Sequence, residues 1–432
     1  NLLFFMLFII SFSSFAQNKT VVAVGKAELE KDNLFFVSSL GKGLAKEVVT
    51  MTSILKNDFS FYKKKYTGFN GTVQNLKKSY FIQKKINYGI EVSLVKSGTS
   101  FKAQARLYDS KMSLAATFTT TFSNMKQLRS NAHVLSNDIY KKLTNKESMF
   151  LSKIIFVSDR DGRKANYVKE IYSMNFDGGN LKRETFHKGT VISPALSVDG
   201  KQVLYSLIKN NRSKNRNVNL YLLNLETGKS VVISSKKGIN SGAVFMPDGK
   251  SLLMTMTHQG NAELYAMDIA TKRTRRITKH FAPDVDPSIN VSGDLMTFLS
   301  GRSGTSKPMI YIADPRAMEK NVKRISYVGR FNATPRFSPD GKEIAFSSWL
   351  DNKFDIFRVD STGDNLYRLT KDFGSNEDPT YSKDGQFIAF SSQRVISSRK
   401  AVQNIYIMGH EGEIIGQITK NYGNCTTPRW SK

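Results

Sequence analysis

The sequence predicts a small α+β domain followed by an all-β, six-bladed β-propeller that is closed by the C-terminal strand. Three observations carry this prediction. The segment FSPDGKEIAFSS, which begins at Phe337, nearly recurs as YSKDGQFIAFSS from Tyr381. Equivalent turn glycines stand at positions 200, 249, 293, 341 and 385, which are 49, 44, 48 and 44 residues apart, a spacing typical of four-stranded propeller blades. The final residues, TPRWSK, repeat only the beginning of this unit.

The first residues, 1–16, are predicted to be a secretory signal peptide. The stretch from Leu2 is apolar, and small residues stand at Ser14 and Ala16, so we expect cleavage after Ala16. A transmembrane anchor is the alternative, for which the apolar run is short. The usual positive segment before the run is absent, and we expect the true start to lie upstream. Residues 17–33 are polar and form either an edge strand or a flexible N-terminal arm.

Residues 34–148 are predicted to form the α+β domain, because apolar runs of strand length alternate with amphipathic stretches. The long last helix has a serine in the N-cap position. In chain order we expect a strand from Leu34 to Leu40, a helix from Gly43 to Asn57, a strand from Phe59 to Tyr62, a helix from Leu76 to Ile86, three antiparallel strands between Tyr88 and Phe122, and a helix from Ser123 to Thr144.

Residues 149–432 are predicted to form the propeller, and one repeat shows the four strands of a blade. Its first strand is TPRFS, from Thr334, and the turn from Ser338 to Gly341 follows, in which proline fixes φ and glycine accepts a positive φ. EIAFS, DIFRVDS and YRLT then supply three more strands. The first repeat, from Lys153, lacks an opening strand, and we expect TPRWSK to supply it, which leaves no free sheet edge.

Composition limits the classes of function. The net charge of +28 is compatible with nucleic-acid binding, but export argues against that partner, so we expect none. Attraction to an anionic envelope surface and a general preference for lysine both remain open explanations of the charge. The single cysteine, Cys425, excludes an internal disulfide, and the five histidines do not have metal-ligand spacing, so we expect neither metal nor cofactor.

Catalytic motifs are not found in the sequence. It contains no G-x-S-x-G nucleophile elbow, no H-E-x-x-H helix and no P-loop. DRDG, from Asp159, resembles the start of a calcium loop but lacks the later ligands, so a hairpin turn is the better interpretation. We therefore expect a non-enzymatic protein whose function lies in a binding surface. A propeller that binds anionic wall carbohydrate, or another envelope protein, is the alternative, although the chain has only two tryptophans as sugar platforms.

The order of segments and the repeat motif resemble the TolB family of the Tol–Pal envelope system. The repeats follow P-x-[WF]-S-P-D-G…[IV]-[AY]-[FY]-x-S…[IL]-Y-x-[MV]-D…R-[QR]-[IL]-T, and the join KLTNKESMFLSKIIFVSD, from Lys142, also matches. The resemblance covers nearly all of the mature chain. It implies a periplasmic adaptor, expected to be a monomer, that supports outer-membrane integrity and cell division.

The resemblance also implies two partners. A Pal-like outer-membrane lipoprotein would bind the loops that join the last strand of one blade to the first strand of the next. The residues expected there are Ser193, Ser241, Gly242, Asp286, Thr334, Asp378 and Thr427. A TolA-like inner-membrane protein would bind the N-terminal arm, at Thr20, Val21, Val22, Val24 and Lys26.

Two of the expected loop residues, Asp286 and Asp378, are acidic in a basic protein. They either contact the lipoprotein or cap turns. If they contact it, replacing both with lysine weakens lipoprotein binding and leaves the fold intact. The chain departs from the family in its strong positive charge and in an inserted loop at 210–217.

Overall fold

The computed structural model describes residues 30–41, 43–162, 168–209, 217–303, 307–397 and 400–431. The predicted signal peptide and the arm residues Thr20, Val21, Val22, Val24 and Lys26 lie outside these ranges, as does most of the insertion at 210–217. In the part of the chain that is described, no helix combines the length and apolar character needed to cross a membrane.

The N-terminal domain is a five-stranded sheet covered by helices. The strand order is β2-β1-β3-β4-β5, in which β1 runs parallel to β2 and β3, and β3 to β5 form an antiparallel meander. Its elements are β1 (Asp32–Ser38), α1 (Ala45–Phe61), β2 (Tyr66–Gly71), α2 (Lys78–Gln83), β3 (Tyr88–Ser97), β4 (Ser100–Tyr108), β5 (Leu114–Phe122) and α3 (Leu128–Thr144).

Helix α1 includes a segment that the sequence predicts as a strand. The alternation in FSFY is typical of a strand, but Leu55 and Phe59 are four residues apart and both are buried. This spacing keeps Phe59 on the same helix face as Val48 and Met51, so core packing extends the helix to Phe61. The strand predicted from Phe59 to Tyr62 is therefore wrong.

The other two helices are shorter than predicted. Helix α2 is limited to its six central residues, Lys78–Gln83. Helix α3 begins at Leu128, after a 3₁₀ turn over Met125–Gln127. The side chain of Asn124 caps that turn by accepting the backbone N–H of Lys126 at 2.9 Å, so the cap is not the predicted Ser123.

Six four-stranded sheets follow and form the blades of a propeller. Blade one contains β6 (Lys153–Ser158), β7 (Glu170–Asn175) and β8 (Lys182–Arg183); blade two β9 (Thr190–Leu196), β10 (Gln202–Ile208), β11 (Val218–Asn224) and β12 (Ser230–Ser234); blade three β13 (Asn240–Phe245), β14 (Ser251–Met256), β15 (Glu263–Asp268) and β16 (Thr274–Arg276). Blade four contains β17 (Asp284–Ile289), β18 (Met296–Ser300), β19 (Met309–Ala313) and β20 (Lys323–Arg324); blade five β21 (Asn332–Phe337), β22 (Glu343–Leu350), β23 (Lys353–Asp360) and β24 (Tyr367–Arg368); blade six β25 (Ser375–Tyr381), β26 (Phe387–Ser397), β27 (Lys400–Gly409) and β28 (Ile414–Gln417).

The C-terminal strand β29 (Cys425–Trp430) closes the ring as predicted. It pairs antiparallel with β6 and so completes blade one. The indole N–H of Trp430 donates to the hydroxyl of Ser152 at 2.6 Å, which fixes the last strand to the start of the first blade. Cys425, the first residue of this strand, is buried, and burial raises the pKa of its thiol to about 12, so it remains a neutral thiol at ordinary pH.

The N-terminal domain packs on blades one and six. The ring centroid of Tyr62 lies 4.9 Å from that of Phe387, and its hydroxyl donates to Asp384 at 2.7 Å. Tyr140 on α3 accepts a hydrogen bond from the side-chain amide of Gln386 at 3.1 Å. These contacts reach the hairpin between the first and second strands of blade six, so the domain lies at that end of the propeller.

Candidate functional site

The innermost strand of every blade carries a β-bulge at the same point. These strands contact one another in the cyclic order β9, β13, β17, β21, β25, β29, and so line the central channel. At each bulge two residues oppose a single residue of the second strand. The first residue of each pair is Ser193, Gly242, Asp286, Thr334, Asp378 or Thr427.

All six of these bulge residues have left-handed backbone conformations. Their φ angles lie between 48° and 59°. Only Gly242 adopts such a conformation without steric cost, and the β-branched Thr334 and Thr427 are the least suited to it. Backbone strain of this kind costs about 1–3 kcal/mol per residue and is concentrated at functional sites. Its sixfold repetition marks this level of the channel as a candidate site.

Side-chain oxygens support the strained backbone. The N–H of Asp286 donates to the Thr255 hydroxyl and that of Asp378 to the Ser347 hydroxyl, each at 3.2 Å. The N–H of Thr427 donates to the Asp378 carboxylate, also at 3.2 Å. The bulges at Asp286 and Asp378 are therefore held by the second strand of the preceding blade, and the bulge at Thr427 is held by the preceding inner strand.

The structure places the predicted binding residues in strands rather than in loops. Ser193, Gly242 and Asp286, for example, lie inside β9, β13 and β17, and Ser241 pairs with Thr255 of β14. The loops between blades come just before these strands, at 184–189, 235–239, 277–283, 325–331, 369–374 and 418–424. All seven predicted residues still line one cavity of about 200 Å³, which opens at the same end of the channel as those loops. We call it the mouth cavity and this end of the channel the mouth.

A second ring of residues lies one step further into the channel. It consists of the residues that follow the second bulge position: Ala195, Val244, Ser288, Arg336, Thr380 and Arg429. Arg336 and Arg429 line both the mouth cavity and a second cavity of about 170 Å³ at the opposite end. They therefore form the floor that separates the two cavities.

The two arginines were not among the residues expected at the site. The sequence contains the signal that identifies them, since arginine follows the repeat proline in TPRFS and TPRWS and in no other copy. Bulge geometry was needed to show that this position points into the channel. Without the bulge geometry, an arginine at this position of a strand is equally compatible with an exposed face of the blade.

The floor is a cluster of two acids and two bases. Arg336 pairs with Asp286 at 2.9 Å. Asp378 is buried, and burial raises the pKa of its carboxyl, while Arg429 and Arg336 act in the opposite direction. Burial, and then the nearby Arg336, lower the pKa of Arg429 to about 9, so it is still a cation at neutral pH. Because Asp378 is buried, its replacement by lysine is expected to cost stability as well as binding.

Exposed aromatic rings stand on the loops between blades at the mouth end of the channel. Phe186, Phe281 and Tyr327 lie on three of the loops between blades and are 68%, 80% and 74% exposed. Arg183 stacks over Phe186 at 4.7 Å and Arg324 over Tyr327 at 4.4 Å. Large exposed rings at a concave opening are typical of a binding surface. We call the three rings and the mouth cavity the mouth face.

The mouth face lies at the end of the propeller away from the N-terminal domain. Inner strands begin at the mouth and run towards the hairpin turns, and the N-terminal domain contacts one of those turns through Asp384 and Gln386. Among the described residues, these contacts of the N-terminal domain are therefore made at the end of the propeller opposite the mouth.

Two buried groups of acids and histidine have the proximity of metal ligands: Asp58, His133 and Asp177, and Glu263, Asp284 and Glu319. In each group an arginine already binds the carboxylates. Arg129 pairs with Asp177, and Arg302 pairs with both Asp284 and Glu319. His133 lies between Asp58 at 2.9 Å and Asp177 at 3.5 Å. These are ion-pair networks, and the first joins α1 and α3 to blade one.

Comparison with known proteins gives consistent results. The family described as "TolB beta propeller domain" matches residues 140–394. The Tol-Pal system protein TolB of Francisella tularensis subsp. holarctica is 28% identical over 289 residues, which is 63% of this chain and 60% of that protein. The corresponding protein of subsp. mediasiatica is 27% identical over 285 residues, again 63% of this chain and 60% of that protein. The chain thus aligns with about three fifths of the length of these curated relatives.

A solved structure shares the whole architecture. The crystal structure of TolB from Acinetobacter baumannii superposes with a TM-score of 0.76 at 24% identity, covering 94% of this chain and 98% of that one. A chain in the crystal structure of a nidogen/laminin complex covers 65% of this chain, and 98% of its own length, with a TM-score of 0.51 at 9% identity. At these identities both likenesses concern the fold alone.

Proposed function

We propose that this chain, which belongs to the TolB β-propeller family, acts as the TolB component of a Tol–Pal system. In this role it is a non-enzymatic adaptor of the periplasm. Its propeller binds a Pal-like outer-membrane lipoprotein, and its N-terminal arm binds a TolA-like inner-membrane protein. The link serves outer-membrane integrity and cell division.

The observation that carries the proposal is the mouth face. Six bulges, five of them with strained backbone, surround a cavity that opens away from the N-terminal domain, and three aromatic rings stand exposed on the loops at that end. Aromatic side chains supply large contact areas at protein interfaces, and a partner that covers them removes this apolar surface from water. A rigid closed ring also positions the contact residues before binding, which lowers the entropic cost of association.

The role of the arm rests on family membership. Thr20, Val21, Val22, Val24 and Lys26 precede the first described residue, and β1 begins soon afterwards, at Asp32. β1 lies inside the N-terminal sheet, between β2 and β3. A segment that leaves this sheet is attached at the end of the molecule away from the mouth face, so two partners can bind at once.

The test is the affinity of the chain, without its predicted signal peptide, for the soluble domain of the Pal-like lipoprotein from the same genome. Isothermal titration calorimetry would compare the wild type with Phe281→Ala and Tyr327→Ala. Each substitution is expected to weaken binding at least tenfold, about 1.4 kcal/mol. Val198→Ala is the matched control, because Val198 is 45% exposed and lies at the end of the channel opposite the mouth.

Two results would contradict the proposal. One is equal affinity of the aromatic variants and the control. The other is wild-type binding to anionic wall fragments but not to the lipoprotein domain, which would support the carbohydrate-binding alternative. Deletion of residues 20–31 is expected to leave the lipoprotein affinity unchanged, since the arm and the mouth face are proposed as separate sites.

A further inference from the structure

The floor of the mouth cavity has hydrogen-bonding capacity that the chain does not use. The Nε of Arg336 and the hydroxyl of Thr427 are buried and have no hydrogen-bond partner among the described residues. Arg429 donates to the carbonyl of its neighbour Pro428 at 2.8 Å. A buried polar group without a partner costs about 1–3 kcal/mol, so such groups are uncommon. The unused groups indicate a ligand that brings oxygen acceptors.

The charged groups occupy one side of the channel. Asp286, Arg336, Asp378 and Arg429 lie on the four consecutive inner strands β17, β21, β25 and β29. The two remaining inner strands contribute small, uncharged residues to the mouth cavity, namely Ser193, Ser241 and Gly242. Small residues facing two arginines leave room for one side chain that enters from the mouth, and the cavity volume is about 200 Å³.

A carboxylate fits these donors best. The two Nη groups of Arg336 already donate to the carbonyl of Pro335 at 2.6 Å and to Asp286 at 2.9 Å, so Arg336 offers its Nε. A charge-assisted bond from a guanidinium to a carboxylate is about twice as strong as a neutral one. The two aspartates oppose a third negative charge. Asp286 is already neutralised by Arg336, and burial raises the pKa of Asp378, with Glu377 and Asp286 as its acidic neighbours. Protonation of Asp378 would therefore remove the nearest repulsive charge when a carboxylate enters.

We propose that the mouth cavity receives one carboxylate-bearing side chain from the docking segment of the partner. Arg336 and Arg429 hold its oxygens, and the Thr427 hydroxyl donates a further hydrogen bond. This inference rests on the proposed function, because the partner at the mouth face supplies the carboxylate. It adds the chemical class of the group that enters the channel.

Acetate is a probe that does not depend on the partner. The side-chain ¹⁵Nε resonances of Arg336 and Arg429 would be followed by NMR while sodium acetate replaces sodium chloride at constant ionic strength. Both resonances are expected to shift with acetate and not with chloride. Asp378→Asn, which removes the repulsive charge, is expected to tighten acetate binding at pH 7.5 at least threefold. Thr427→Val is expected to weaken it three- to tenfold.

Thr121→Val is the matched control, because it makes the same substitution as Thr427→Val at an exposed threonine on β5 of the N-terminal domain. It is expected to leave acetate binding unchanged. Shifts of equal size with chloride, or no shift at either arginine, would overturn the inference. So would weaker acetate binding in Asp378→Asn, since the proposal requires the opposite sign.

A second experiment separates this inference from the proposed function. Acidic residues in the contact region of the lipoprotein domain would be changed one at a time to their amides and combined with Thr427→Val in double-mutant cycles. Changing one of these acidic residues is expected to weaken the binding of the two proteins at least tenfold, and its effect is expected to be coupled to that of Thr427→Val. If the wild-type domains bind but no acidic residue is coupled, the carboxylate inference fails and the adaptor function stands. If they do not bind, the adaptor function fails and the acetate result alone decides the inference.

Discussion

Glu377→Gln is expected to make the protein more stable at alkaline pH. Glu377 lies on β25 immediately before the bulge at Asp378. Burial, and then the charge of Asp378, raise the pKa of Glu377 from 4.5 to about 7. The folded chain therefore holds a proton that the unfolded chain has lost, so the free energy of unfolding falls as the pH rises from about 4.5 to about 7.

The magnitude follows from the size of this pKa change. One pKa unit corresponds to about 1.4 kcal/mol, so ionising Glu377 in the folded protein costs up to about 3 kcal/mol. Residual solvent contact reduces the cost to about 2 kcal/mol. Glutamine keeps the shape of the side chain and has no charge to bury. The variant is expected to exceed the wild type by about 2 kcal/mol at pH 8 and to gain little or nothing below pH 4.5.

Urea unfolding, followed by tryptophan fluorescence at pH 4, 6 and 8, measures the difference between variant and wild type. Glu226→Gln is the control, because Glu226 is exposed and its pairing with Lys201 is a surface ion pair. Its effect is expected to stay within about 0.5 kcal/mol at every pH. If Glu377→Gln and the wild type differ by the same amount at all three pH values, the assigned burial of this carboxyl is refuted.

Three further predictions concern packing and the channel. Phe387→Ala is expected to cost about 3–5 kcal/mol in thermal unfolding, because Phe387 is buried at the domain interface; a loss below about 1 kcal/mol would argue against this interface. Arg429→Met is expected to cost about 3–5 kcal/mol in unfolding free energy, because it leaves Asp378 without its cation. Adding Asp378→Asn to the same chain is expected to restore most of that loss. If the effects of the two substitutions simply add in a double-mutant cycle, the two residues are not coupled. Thr255→Val is expected to cost about 1–2 kcal/mol in denaturant unfolding, because the N–H of Asp286 loses its acceptor; an unchanged midpoint would show that the bulge does not need that bond.

The fold of the propeller could be predicted because each blade repeats its turn chemistry. Five turn glycines gave the blade length, and the incomplete unit TPRWSK gave the closure by β29. The sequence signal for one hairpin is weak, but the same hairpin pattern occurs several times along the chain, and its repetition makes the prediction firm. In the N-terminal domain each element occurs once, and there the alternation of FSFY was mistaken for a strand because only the packed core shows that Phe59 continues the face of α1.

The candidate site was predicted in part. The residues before the repeat prolines were expected in loops, since Asp, Asn, Thr and Gly before proline are typical of turns. The structure keeps them together around one cavity but places them at bulges within the inner strands, because the ladder resumes after a single extra residue. How deep a side chain lies in the channel depends on how all six blades pack around the axis. No local pattern could therefore show that Asp378 is buried or that Arg336 and Arg429 form the floor.

The most direct test of the central claim is site-specific photo-crosslinking at the two ends of the propeller. A benzophenone amino acid would replace Phe281 at the mouth face or Val198 at the opposite end of the channel, and each protein would be irradiated with the lipoprotein domain. An adduct from position 281 and none from position 198 is the predicted result. An adduct from position 198 alone, or none from position 281 under conditions in which the two proteins bind, would contradict the claim that the partner docks at the mouth face.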